Sequence, residues 1–140
     1  MLTYKFLMIP ILIFLHWIGD YLCQGILADM KQKSWWEKQF KSSEEFEKSI
    51  YSKDYIVALI THSFVWSFIV NLPLMMLCVQ SPNDLTNLLV YFASLIGHTG
   101  LHAWVDDEKA NKRSINLIAD QECHIIQLFF IWCMWFVCLG

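Results

Sequence analysis

The stretch LLVYFASLIGHTGLHAWVDD, residues 88–107, decides how the chain is read. Its first half suits the interior of a bilayer. Its second half carries His98, His102 and Asp106, each four residues from the next. Residues four apart share one face of a helix, so this helix is an apolar cylinder with a narrow polar stripe. An ionisable side chain at membrane depth costs about 2.5–3.5 kcal/mol on insertion scales, so it normally faces a bundle interior and has a role there.

Working outward, a hydrocarbon core of about 30 Å needs about 20 mostly apolar residues per helix. Stretches of about that length lie at roughly 6–27, 55–79, 85–105 and 115–139. The expected fold is all-α: a single membrane domain over residues 1–140, built as a four-helix bundle with a cytoplasmic amphipathic segment over 28–54. Pro73 is placed to kink the second span, and Ser81-Pro82-Asn83-Asp84 marks the break before the third. The composition agrees, because 16% charged residues is well under the roughly 25% of a soluble domain. A net charge of −3 gives no reason to expect a nucleic-acid partner. The first span does not read as a cleaved signal peptide, since it lacks a small-residue cleavage site and carries His16, Asp20 and Gln24. Cys23, Cys78, Cys123, Cys133 and Cys138 form no C-x-x-C pair and read as reduced, apolar-facing residues.

The basic residues set an expected orientation. Lys31, Lys33, Lys38, Lys41, Lys48 and Lys53 lie between the first two spans, and Lys109, Lys112 and Arg113 between the last two; Lys5 alone lies on the other side. The positive-inside rule puts the basic loops in the cytoplasm and both termini outside. For a bacterial or phage protein, that means the inner membrane. Within the first basic loop, Trp35, Trp36, Phe40, Phe46 and Ile50 recur among Lys and Glu, and Ser42 with Glu45 resembles a capping box. An interfacial amphipathic helix and a solvated loop anchored by its tryptophans both fit.

Every other span repeats the polar stripe. His16, Asp20 and Gln24 are spaced by four on the first, His62 stands on the second, and Asp120, Gln121 and His124 on the fourth. At 1.5 Å per residue these groups lie within roughly 8–18 Å of the cytoplasmic end of their helices. Gly19, Gly97 and Gly100 flank them; either they let helices approach closely or they reflect the frequency of glycine in membrane helices. Neutral imidazole and carboxylate are ligands for zinc, iron and manganese, and helix bundles build such sites from inward residues at helical spacing. The pattern favours a metal site of His16, Asp20, His62, His98, His102, Asp106, Asp120 and His124. A structural polar network and a proton or ion path are the alternatives.

The ordered motifs H-x3-D-x3-Q (His16, Asp20, Gln24), a lone His62, H-x3-D-x2-K (His102, Asp106, Lys109) and D-Q-x2-H (Asp120, Gln121, His124) resemble a family of small bacterial and phage membrane proteins known only as a domain of unknown function. The resemblance covers nearly the whole chain and implies no settled activity. A looser resemblance links the helical H-x3-D and H-x3-H pairs to inner-membrane metal-dependent hydrolases, and to the all-helical zinc phospholipase C and nuclease group. That group surrounds a metal cluster with His, Asp and Glu. This chain lacks its N-terminal Trp ligand, Met1 is not placed to substitute, and the spacing between motifs differs.

These readings converge on a metal-dependent hydrolase at the cytoplasmic leaflet, with a phospholipid or another phosphate-bearing amphiphile as substrate. Eight ligands exceed one tetrahedral site, so two ions, zinc before iron or manganese, are expected. Asp107 or Asp120 is the expected general base. Lys109 is either a phosphate ligand or a positive-inside anchor, and Gln24 and Gln121 orient ligands or substrate. A transporter of metal ions or protons needs polar residues in the outer leaflet, where residues 72–77 and 129–132 are apolar. A phage-encoded interaction protein that modifies the host envelope would use the segment from Trp35 to Phe46. A homodimer would help to enclose the site, although no GxxxG motif supports one.

Overall fold

The computed structural model describes residues 2–138. Met1 and Leu139, the expected end of the fourth span, lie outside them. Among the described residues all the regular structure is helical, with no strand. Helix α1 (Leu2–Trp17) runs into one π-helical turn (Ile18–Leu22). Three short helices follow: α2 (Leu27–Met30), α3 (Lys33–Glu37) and α4 (Ser43–Glu47). The long elements are α5 (Asp54–Val70), α6 (Leu72–Gln80), α7 (Leu85–Ala110) and α8 (Leu117–Cys138). Helices α1, α5, α7 and α8 pack around one another, with α5 and α7 forming the largest contact.

Helices α7 (26 residues) and, over Leu117–Phe136, α8 (20 residues) are each long and apolar enough to cross a membrane, which marks a membrane protein. The other two expected spans differ from single straight helices. The second is broken at Asn71, where α5 and α6 meet at 54°. Pro73, in the first turn of α6, has no N–H to give and no place in a continuous ladder. The first is apolar only over Phe6–Leu22. It ends because Gly25 takes a left-handed conformation (φ +49°), which glycine adopts freely, and turns the chain beneath the bundle. At its start α7 is capped by Asp84, whose Oδ1 accepts from the N–H groups of Thr86 (2.9 Å) and Asn87 (3.2 Å).

The polarity is inverted relative to a water-soluble bundle. Phe14, Ile96 and Ile118 face outward while all five histidines are buried. The apolar core is gathered towards one end, around Leu12, Val70, Leu74, Leu95 and Ile131, with Trp66 at its polar border. The basic segment is neither one interfacial helix nor a free loop. Ser42 caps α4 by accepting from Glu45 N–H at 3.2 Å, but Glu45 reaches back to Lys41 N–H rather than to that of Ser42. Phe46 is fully buried, and Ile50 stays outside. Asn111, beyond the end of α7, accepts from Lys33 N–H (2.7 Å) and donates to Lys31 C=O (3.1 Å). These two bonds stitch the segment onto the bundle.

Candidate metal centre

The π-helical turn is the first element that shapes the site. A π turn inserts an extra residue into the helical register and is common at functional sites. Here it carries Asp20, 5% exposed, into the bundle interior. Gly19 makes this possible: a Cβ there would lie 3.0 Å from Trp66 Cδ1 and 3.3 Å from Trp66 Cα. Gly97 and Gly100 face open space, so close helix approach rests on Gly19 alone among the three.

Asp20, His62, His102 and Asp106 are all buried, and each offers one ligand atom within 4.8 Å of the others. The Nε2 atoms of His62 and His102 are 3.2 Å apart. His62 Nε2 lies 3.5 Å from Asp20 Oδ1 and 3.3 Å from Asp106 Oδ2. His102 Nε2 lies 4.0 and 3.6 Å from the same two oxygens. Four ligands at about 2.0–2.1 Å from a tetrahedral ion stand about 3.3–3.4 Å apart, so this N2O2 set has the dimensions of a metal site. Asp106, Asp120 and His124 make a second group of the same compactness. Asp106 serves both: Oδ2 faces the two imidazoles, and Oδ1 lies 4.0 Å from His124 Nε2.

The second group also holds unpaired atoms. Both ring nitrogens of His124 and Oδ1 of Asp120 are buried without a hydrogen-bond partner. Buried polar atoms are nearly always satisfied, and an unmet one calls for a missing water or ion. These buried His and Asp groups are able to hold a metal ion.

His16 behaves differently. Geometrically it forms a third compact group with Asp20 and His124, but both its nitrogens are engaged. Trp66 Nε1 donates to His16 Nδ1 at 2.9 Å, which makes Nε2 the protonated nitrogen; it donates to Gln121 Oε1 at 3.1 Å. The amide nitrogen of Gln121 in turn donates to Asp20 Oδ2 (3.2 Å) and Asp120 Oδ2 (3.1 Å). His16 therefore links Trp66 to Gln121 in a relay that reaches two carboxylates, and both its nitrogens are taken up by these hydrogen bonds. His98 also stands outside the compact groups, buried against Gln127 one turn from His102.

No protein-family model, curated protein or solved structure matches the chain.

Two lysines complete it. Lys31 Nζ donates to Asp106 Oδ2 at 2.6 Å, and Lys109 Nζ to Asp120 Oδ2 at 2.6 Å. Lys31 was not among the expected site residues, nor was Trp66, whose ring stacks on His102 with centroids 4.2 Å apart. Gln24, just past the π turn, folds back onto it and donates to Asp20 C=O. Asp107 turns away: it accepts from Asn111 (2.8 Å) and pairs with Lys112 (3.2 Å). Hydrogen bonds to Glu108 and Asp107 raise the pKa of that lysine. Asp20 and Asp106 also line a cavity of about 430 Å³, together with Gln24, Lys31, Lys109 and Arg113.

Proposed function

We propose that the chain is a metal-dependent hydrolase embedded in an inner membrane by four spans, with both termini outside. It acts at the cytoplasmic leaflet on a phosphate-bearing amphiphile. The observation that carries this reading is Asp106, which presents one oxygen to each of two ligand groups. A carboxylate so placed suits a pair of ions, and we assign two zinc ions per chain, with iron or manganese accepted by the same donors. Metal bound there supplies Lewis acidity and a nucleophilic water at neutral pH.

The residues of the chain do the rest. Lys31 and Lys109 orient Asp106 and Asp120, and Gln121 orients Asp20 and Asp120 through the Trp66–His16 relay. Outer-shell contacts of this kind typically contribute 10–100-fold to metal affinity or activity. Asp107, tied to Asn111 and Lys112, is too engaged to act as the general base. The cavity beside Asp20 and Asp106 gives the substrate its access.

The test is phosphate release from a long-chain alkyl phosphate by the full chain in detergent. Activity is expected to vanish on chelation, to return with zinc, and to be absent in Asp106→Ala. Hydrolysis that survives complete metal removal would exclude the reading.

A further inference from the structure

Arg113 occupies a position that usually belongs to glycine. It is the one non-glycine residue with positive φ (56°) among the described residues. The N–H of Ser114 bonds back to Glu108 C=O at 2.9 Å, closing a seven-residue turn after α7 within which Arg113 takes the left-handed conformation. Arginine adopts this conformation against its own sterics. Arg113, itself exposed, lines the cavity beside Asp20 and Asp106, and no carboxylate lies within ion-pair distance of it among the described residues. Lys31 and Lys109, which line the same cavity, are each paired with a carboxylate.

The charges around the cavity point to an anion. Asp20 and Asp106 line the cavity with Lys31, Lys109 and Arg113, and Asp120, the partner of Lys109 behind the lining, brings the charges to three against three. Each divalent ion then adds two positive charges in surroundings that tolerate little net charge. A phosphate monoester carries about −1.5 to −2 at neutral pH, and a diester carries only −1. The cavity, of about 430 Å³, has room for a phosphate and the atoms next to it. An exit for the chain exists. Tyr21 lines this cavity and also an apolar groove formed with Phe14, Trp17, Ile18 and Leu22 on the outer face of the first helix.

We propose that the cavity is the binding site for the terminal phosphate monoester of an amphiphile. Arg113 is its anion-recognising residue, and the hydrocarbon chain leaves over Tyr21. This rests on the hydrolase reading and names the substrate class of the same site.

The experiment titrates inorganic phosphate, dodecyl phosphate and a dodecyl phosphodiester into the purified full chain, with metal content recorded for each sample. Dodecyl phosphate is expected to bind more tightly than either of the others. Arg113→Gly is expected to raise the Kd of both phosphate and dodecyl phosphate about tenfold or more, with unchanged metal content and no loss of thermal stability, since glycine suits the position. Tyr21→Ser is expected to weaken dodecyl phosphate alone. An Arg113→Gly chain with unaltered phosphate affinity overturns the proposal, as does a diester that binds as well as the monoester. The arginine keeps its charge without metal, so its effect persists after chelation. A failed metal centre therefore appears as absent metal, and a failed anion site as an absent arginine effect.

Discussion

Two polar layers are buried in this bundle, and they are built on opposite principles. In the layer next to the apolar core, Ser67 Oγ donates to Leu95 C=O (2.9 Å), Asn71 Nδ2 to Ser67 C=O (2.8 Å), and Ser94 Oγ to Asn71 Oδ1 (2.5 Å). Each of these groups finds its partner within the protein. In the His and Asp layer, buried atoms of His62, His102, His124 and Asp120 have none. Both layers bear the desolvation cost of burial, but the first recovers it fully through hydrogen bonds and the second only in part. The first therefore holds the helices together, and the second is incomplete by itself.

Substitutions can break this contrast. The largest effect on stability is expected from Asn71→Ala, which strands the Ser94 hydroxyl and one Ser67 contact. A loss of about 2–3 kcal/mol in unfolding from detergent, with metal content intact, separates the scaffold layer from the ligand layer. A simultaneous fall in metal content would join them. Next comes Gly19→Ala. Its Cβ would press on Trp66 at 3.0 Å, costing about 1–2 kcal/mol and shifting the indole that sets the His16 tautomer, so metal affinity should fall as well. The smallest is Gly97→Ala, in open space, which should be neutral or add about 0.5–1 kcal/mol by favouring the helix. Paired unfolding curves check the opposite signs.

Much of the ligand layer was legible in the sequence because helical spacing is local. His102 and Asp106 are four apart and share a face, so they meet His62 on α5 as the stripe implies. The same geometry shows why Asp107 misses: one residue turns about 100° around the helix. Other features depend on long-range contacts. The π turn that holds Asp20 lies where Gly19 packs closely on Trp66, a long-range contact that spacing along one helix does not display. Lys31 reads as one of many positive-inside charges, and the Asn111 bonds together with the packing of α2 on α5 bring it to Asp106. The hydroxyls of Ser67 and Ser94 sit within apolar runs and gain meaning only when α5 and α7 are set side by side. His16 had the right residue type and spacing for a ligand, but Trp66 and Gln121 take up its nitrogens.

The central proposal is that Asp106 would serve two metal sites. It is tested most directly by elemental analysis of the purified chain beside three variants. Two zinc ions per chain are expected in the wild type, one in His102→Ala, one in His124→Ala, and none in Asp106→Ala. A single ion in the wild type, or an Asp106→Ala chain that keeps its full metal, would contradict the account.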